Sequence, residues 1–506
     1  MINIDFKKIF IVLVFLFFLV NSCPARIIHV PPDSSTIQAG INGAEDNDTV
    51  LVAPGTYYEN INFLGKSILV TSNFIFDSDT NTILLTIIDG SHPINPKYGS
   101  VVIFDSGEDS LSILKGFTLQ NGSATHMEES TFGGGILCTS SPSILNNRIF
   151  GNYAHFGAGI CARGEICSPK IASNVVIQNT GIVGAGIFGE FSQPQIVENL
   201  IQGNYASYRG GGIFCKLAQP TIIGNKVFKN ESVVRGGGIN VAYSYVQIMN
   251  NHIAFNQTGE DGGGIYLAGN YSVLVYRNLI HQNQAQKGGG IFVTDCSSQI
   301  VNNTVNDNFA EEAGGVYYQG TDYTEIIDNI ITNSSQGGGL LTEPGSNFHI
   351  SYNDVWNNIG GNFRGCYAGI GDTSWGLNHN NTPCDSSYNI IQDPLFVNLG
   401  INFHLNCLSP CRDAGAPYLE VPPGGGEIVD MGVFEYLPIS GDINGDEKIN
   451  TQDIFFLIDF LFRSQPPFCA YDAGDVNCDH NVNISDLVYL INFMFKGGPP
   501  PCPGEG

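Results

Sequence analysis

The chain has 506 residues, enough for two or three domains, and 42% of them are hydrophobic, enough for a sizeable core. Its 47 acidic and 21 basic side chains leave a formal charge of −26. That excess works against nucleic acid and anionic membranes as partners, and against unaided capture of an acidic polysaccharide; its first reading is solubility and cation ligands.

The N-terminal residues point to export. Lys7 and Lys8 precede an unbroken apolar run from Ile9 to Val20, followed by small residues up to Ala25, which is the pattern of a signal peptide over residues 1–25. The run is short for a membrane span, and no later segment is long and apolar enough to be one. Cys23 after Ser22 offers lipid attachment as an alternative, though Asn21 fits that signal poorly, and cleavage near Ala25 is the expectation. Export opens disulfide chemistry to the 12 cysteines left from 13 once Cys23 is removed. Cys366 with Cys384 and Cys407 with Cys411 are the local pairs that spacing offers.

One phrase then recurs. "YRGGGIFCK" from Tyr208 is echoed by "VRGGGIN" from Val234, "EDGGGIY" from Glu260 and "QKGGGIF" from Gln286. Aligned on the apolar residue after the glycines, Ile136, Ile160, Ile187, Ile213, Ile239, Ile265, Ile291, Val316 and Leu340 recur at steps of 24, 27, 26, 26, 26, 26, 25 and 24 residues. Two asparagine columns keep the same beat, one from Asn147 to Asn353 and one from Asn152 through Asn333 to Asn358. A fixed period of this size marks a repeat architecture. Each unit holds short alternating strands, such as residues 213–215 and 222–223, and no sustained helical period. The expected fold is mainly β, a parallel solenoid with rungs about 4.8 Å apart. The isoleucine column should stack inside, the glycines should relieve a crowded corner, and the asparagines should form amide ladders.

With these units placed, the chain resembles a right-handed parallel β-helix of the pectin-lyase-like superfamily. "TIQAGINGAEDNDTVLVAPGTYYENINFLGKSILVTS", Thr36 to Ser72, is similar to that superfamily's opening coils, and "DPLFVN…FHLNCLSPCRDAG", Asp393 to Gly415, resembles its closing coil. The likeness spans about residues 26–438 and implies a cap and first coils over 26–128, repeat coils over 129–360, and closing coils with a cap over 361–438.

Differences between coils are where function is expected. Four residues before the aligned position, the column reads Phe132, Phe156, Val183, Arg209, Arg235, Asp261, Lys287, Glu312 and Gln336. One residue after it, outward if the isoleucine faces in, stand Phe188, Phe214, Tyr266, Phe292 and Tyr317. A sugar chain could pack on such rings while the cations held its carboxylates. The competing reading is structural, with surface ion pairs between rungs and covered strand aromatics. The superfamily's polyuronate hydrolases use Asn-Thr-Asp and Asp-Asp motifs, and neither occurs in the repeats. Its methylesterases share Gly-x-Tyr-x-Glu, matched by Gly55, Tyr57 and Glu59, but their catalytic motifs are missing here, so the match belongs to the shared first coil. Some lyases use Arg or Lys as base beside calcium-binding carboxylates. Arg209, Arg235 and Lys287 with Glu260, Asp261, Glu311 and Glu312 supply those types, with a further Ca2+ in the β-helix. The base would need a lowered pKa, and the sugar carboxylate would need neutralising.

From Gly441 the composition changes. "DINGDEKINTQD" and "DVNCDHNVNISD", starting 33 residues apart at Asp442 and Asp475, superpose as oxygen-rich twelve-residue loops. Calcium-loop spacing assigns Asp442, Asn444, Asp446, the Lys448 carbonyl, Asn450 and Asp453 to the first, and Asp475, Asn477, Asp479, the Asn481 carbonyl, Asn483 and Asp486 to the second. Each loop runs into an apolar helix. Paired loop–helix units with Asp at position 12 resemble a type I dockerin over residues 439–506, which implies two Ca2+ ions and a cohesin domain on a scaffold or cell surface as partner. Position 6, usually glycine, is Glu447 and His480, which strains the turn. Thr451-Gln452 and Ile484-Ser485 differ, which weighs against symmetric dual recognition. Cys469 and Cys502, again 33 apart, are placed to clasp the module.

The expected function is therefore an exported, polysaccharide-active, lyase-type β-helix protein held at a surface by its dockerin. The alternative is a non-catalytic glycan-binding or adhesin-like β-helix. A groove of perturbed ionisable groups would favour the enzyme, and a flat corner of paired charges would favour the binder.

Overall fold

The structure is a computed structural model that describes residues 25–269, 271–463, 469 and 473–502. Residues 1–24, with the export signal and Cys23, lie outside the described residues. Three long sheets of 13, 12 and 12 strands run the length of the solenoid, here called A, B and C, with an eight-stranded sheet D along one corner. One coil shows the path. Ile213–Lys216 lies in sheet C, Thr221–Ile223 in A, Lys226–Phe228 in B and Glu231–Ser232 in D, before Ile239–Ala242 opens the next coil. Among the described residues no helix is long and apolar enough to cross a membrane.

The repeat predicts the register. Ile213 pairs with Ile239, Ile239 with Ile265 and Ile265 with Ile291, all in parallel. All four are 0% exposed, each withdrawal from water being worth about 1.5–3 kcal/mol. The glycine triplet is explained at Gly210–Gly212. Gly210 has φ +67°, and a Cβ on Gly211 or Gly212 would lie 2.4 Å from the Glu231 carbonyl or 2.5 Å from the Gly238 carbonyl. No side chain fits between coils there.

The asparagine ladders form as predicted over most of their length. Asn225 Nδ2 donates to the Ile196 carbonyl (2.8 Å) and to Asn251 Oδ1 (3.0 Å), while its own Oδ1 accepts from the Asn199 backbone (2.9 Å) and side chain (3.0 Å). The first ladder continues one step further than predicted, from Asn353 to Asn389, across the insertion at 361–388 that hides the beat. The second departs from prediction at Asn333. There Ser334 takes the buried place and its amide donates to Asn358 (2.9 Å), because the short coil shifts the chain by one residue.

The N-terminal end of the lumen is closed by helix α1 (Ile37–Gly43), which buries Ile37, Gly40 and Ile41. Glu59 receives the amides of Ile37 and Gln38, both at 2.9 Å, and Tyr57 donates to the Ala53 carbonyl at 2.9 Å. Gly-x-Tyr-x-Glu is thus a capping device here.

After the last coils the chain returns over the A–B corner. Ala416 N donates to the Asp328 carboxylate (2.9 Å), Asn302 Nδ2 to the Asp430 carbonyl (3.1 Å), and Arg277 pairs with Glu435 (3.6 Å). Disulfides join Cys407 to Cys469 and Cys478 to Cys502. This overturns all three sequence-based pairings. Cys411 is buried and donates to Asp354 (3.3 Å), and Cys366 and Cys384 are free. The first bond instead spans 62 residues, because the closing coil meets the C-terminal module in space, and the second spans 24 residues within that module.

Two outcomes are expected. Asn225→Leu leaves several buried backbone partners unsatisfied and should destabilise the solenoid by at least about 3 kcal/mol in denaturant titration. The second concerns pH. Burial pushes Asp354 up to about 8, Glu435 to about 7 and Asp430 to about 6. Folded values above the unfolded ones mean stability that is full below about pH 4 and lost as pH rises through 6 to 8. Thermal unfolding at saturating calcium should therefore show the returning segment less stable at pH 8.5 than at pH 5.5.

Candidate functional site

The structure does bring the predicted corner residues together. Arg209, Arg235, Asp261, Lys287 and Glu312 are bridged rung to rung in parallel along one edge. Arg235 Nε lies 3.2 Å from Asp261 and 3.6 Å from Glu260, and Lys287 Nζ lies 2.9 Å from Glu312. The hydrogen bond that Lys287 donates to the Glu312 carboxylate raises the lysine pKa. A base would need the opposite shift. Burial raises the Asp261 pKa against the pull of Arg235. Arg209 differs from its neighbours. It has no ion-pair partner among the described residues; its guanidinium stands over the Tyr208 ring at 4.5 Å, and its Nε, like that of Arg235, is buried without a hydrogen-bond partner.

The aromatic column faces out of the lumen as predicted but is not open to a sugar. Phe188, Phe214, Tyr266, Phe292 and Tyr317 are 1–5% exposed. Their faces are used by each other, with centroids 5.7 Å apart for Phe188–Phe214, 5.2 Å for Tyr266–Phe292 and 4.9 Å for Phe292–Tyr317. Arg235 covers Tyr266 at 5.4 Å and Lys287 covers Tyr317 at 5.2 Å. The corner charges thus roof the apolar cluster of Tyr266, Phe292 and Tyr317 outside the lumen, while Phe188 and Phe214 belong to a second such cluster.

Sequence reasoning missed a groove on sheet A. Thr221, Gln247, Leu274, Gln299, Glu325 and His349 pair in successive parallel register. Their neighbours Ile222, Ile248, Val275, Ile300, Ile326 and Ile350 fill the lumen, so this column faces out. Tyr418, Leu419 and Glu420 of the returning segment wall it, enclosing about 560 Å³ with Tyr276 and Tyr323. It continues into a hollow of about 500 Å³ beside Tyr245. Tyr323 is 46% and Tyr418 63% exposed. Gln299 Nε2 donates to Glu325 at 2.8 Å, and Tyr245 stacks on Tyr271 at 5.2 Å. The sequence signal was the run of tyrosines in coils 245–323. The wall, distant in sequence, gave none.

The two C-terminal loops share one geometry. Asp442 accepts from the amides of Gly445, Asp446 and Glu447 (2.9, 3.1 and 2.7 Å), and Asp453 from Ile443, Asn444 and Asn450 (2.8, 3.2 and 2.8 Å). Asp475 accepts from Asp479 and His480 (3.0 and 2.7 Å), and Asp486 from Val476, Asn477 and Asn483 (2.9, 3.2 and 2.9 Å). Positions 3 and 5 make matching local turns: Asn444 accepts from Asp446, Asp446 from Lys448, Asn477 from Asp479 and Asp479 from Asn481. At position 6, Glu447 and His480 are left-handed, φ +60° and +64°, as the missing glycine implies.

These residues fit a divalent cation. Asp475, Asp479 and Asp486 each place a ligand oxygen within 4.8 Å of the others, and burial pushes Asp442 up to about 6. Among the described residues no lysine or arginine is ion-paired to these aspartates, and such converging carboxylates suit an oxygen-loving ion. No comparable group of three acidic, His or Cys residues occurs in the solenoid among the described residues, so the further Ca2+ expected there finds no ready cluster.

Helices α4 (Thr451–Arg463) and α5 (Ile484–Lys496) follow the loops and pack through Ile454, Leu457, Leu487 and Leu490. Glu447 also ties the first loop to the closing coil, accepting from Asn402 (2.6 Å) and pairing with His404 (2.5 Å). Asn406 Nδ2 donates to the Asn444 and Gly445 carbonyls (3.3 and 3.1 Å) beside the Cys407–Cys469 bond.

Residues 207–355 match the family model of the right-handed β-helix region. Among solved structures, the chain is similar to pectate lyase Pel9A, at 14% identity, covering 81% of this chain and 96% of that one with a TM-score of 0.39. It is also similar to the catalytic unit of a thermostable GH87 α-1,3-glucanase from Streptomyces thermodiastaticus strain HF3-3, at 12% identity, covering 68% and 69% of the two chains with a TM-score of 0.28. No curated protein matches the sequence. The matched model names a solenoid, which the stacked sheets show independently.

Chelating divalent ions from the full-length protein should remove the far-UV helical signal of α4 and α5, because the loop carboxylates then repel one another. The β signal of the solenoid should persist. Retained helical signal under chelation would contradict the loop assignment.

Proposed function

We propose that this protein is an exported β-solenoid that engages polysaccharide along its surface and is held by its calcium-folded C-terminal module to a cohesin-bearing scaffold or cell surface. The observation that carries the glycan reading is the sheet A groove. Exposed tyrosine faces, amides and carboxylates lie along successive coils, the mix of apolar face and polar edge that sugar rings require. Two disulfides support an oxidising, extracellular setting.

Support for docking comes from equivalent exposed apolar residues on α4 and α5. Phe455 and Val488 are 66% and 51% exposed, and Phe462 and Phe495 are 61% and 63%. Each pair is 33 residues apart, so the module offers two similar faces despite the unlike Thr451-Gln452 and Ile484-Ser485. The dockerin resemblance makes a cohesin domain the partner.

A second reading keeps lyase chemistry at the charged corner, and Arg209 favours it as a cation left out of the ion-pair ladder. Paired Arg235, Asp261, Glu260 and Lys287 favour a structural corner and a binding function. One experiment addresses both. Full-length protein is run in affinity gels with uronate and neutral polysaccharides while the appearance of unsaturated product is followed by absorbance. Retardation by at least one polysaccharide is expected, and none across the panel sinks the glycan reading. Unsaturated product that disappears in Arg209→Ala, with thermal stability kept, would establish the lyase reading instead.

A further inference from the structure

We infer that the sheet A groove takes a neutral polysaccharide lying along the solenoid axis, and not a polyuronate; this rests on the glycan reading above. The argument is charge and donor geometry. Two carboxylates, Glu325 and Glu420, line the groove beside His349, and no lysine or arginine does. The adjoining hollow adds Gln219, Gln247 and Ser272 and again no cation. Arg277, whose guanidinium stands 5.4 Å from the Tyr276 ring, does not line the groove; its side chain is 19% exposed and is paired with Glu435. A chain bearing one carboxylate per sugar would meet like charge along its length with nothing to pair it. Such a chain is normally held by arginine or lysine.

A neutral sugar meets the opposite situation. Ionised carboxylates only accept hydrogen bonds, and sugar hydroxyls can donate to them. Glu325 is held in place by Gln299 and keeps accepting capacity for a ligand. The amides of Gln247 and Gln299 add both donors and acceptors. Tyr323 and Tyr418 both line the groove and are 46% and 63% exposed. Burial raises both tyrosine pKa values, helped by the charge of Glu325 at Tyr323 and of Asp328 and Glu325 at Tyr418, so both stay neutral donors. Direction follows from the column. Thr221 to His349 marks six successive coils, five steps of about 4.8 Å, a spacing comparable to the length of one sugar ring. A polymer therefore meets repeating contacts only when it runs parallel to the axis.

The test uses the full-length, calcium-loaded protein in affinity gels. The probes are xylan, a β-glucan, glucomannan and an α-glucan on one side, and polygalacturonate and alginate on the other. At least one neutral polymer should retard the protein, and neither polyuronate should. Tyr323→Ala and Tyr418→Ala should each weaken that binding at least tenfold, and Glu325→Gln should weaken it several-fold, all with unchanged thermal unfolding. Polyuronate binding lost in Tyr323→Ala would keep the groove as a glycan site and overturn the neutral class. Neutral binding indifferent to both tyrosine variants would overturn the groove. Retardation by no polymer would overturn the underlying glycan reading.

Discussion

Everything in the solenoid depends on closing a tight corner between sheets A and B without leaving backbone groups unpaired. A coil of about 26 residues has to turn sharply several times, and each turn strands amides and carbonyls in a dry interior. The asparagine ladder answers this. Each side chain takes an amide from the coil before it, gives its own hydrogens to that coil and to the asparagine after it, and so ties three coils at once. The isoleucine stack supplies the gain in free energy, and the ladder makes that gain available in one register only.

That division explains why the fold was legible and the function much less so. Buried positions repeat because every coil poses the same steric problem, so Ile213 to Ile291 and Gly210–Gly212 could be assigned from spacing alone. The ladder became unreadable only where the beat broke, at the one-residue shift before Ser334 and at the insertion before Asn389. The charged corner was also placed correctly. Its meaning was not, because side-chain pairing and covering are properties of neighbouring coils. Arg235 reaches Asp261 and lies over Tyr266, so what read as cations beside sugar-stacking rings is a lid over buried aromatics.

The groove was invisible for a related reason. Its floor lies on the outward face of sheet A, where residues vary freely between coils, and its wall is Tyr418–Glu420, roughly 70 to 200 residues away along the chain. Only the return of the closing segment along the A–B corner makes one surface of the two. The same return places Asp354, Asp430 and Glu435 under cover with raised pKa values, so the wall loses stability as the pH rises.

The disulfide between Cys407 and Cys469, with Glu447 reaching back to Asn402 and His404, has an orientational consequence. A module on a loose linker would let the solenoid sweep all directions about its anchor. Here a covalent bond, the Glu447 contacts to Asn402 and His404, and two bonds from the Asn406 side chain to backbone carbonyls hold the first loop against the closing coil. The long axis of the rod thus leaves the module at a set angle. Under the proposed docking, the surface that held the module would also decide which side of the rod is turned outward, as a bracket decides the pitch of the shelf it carries.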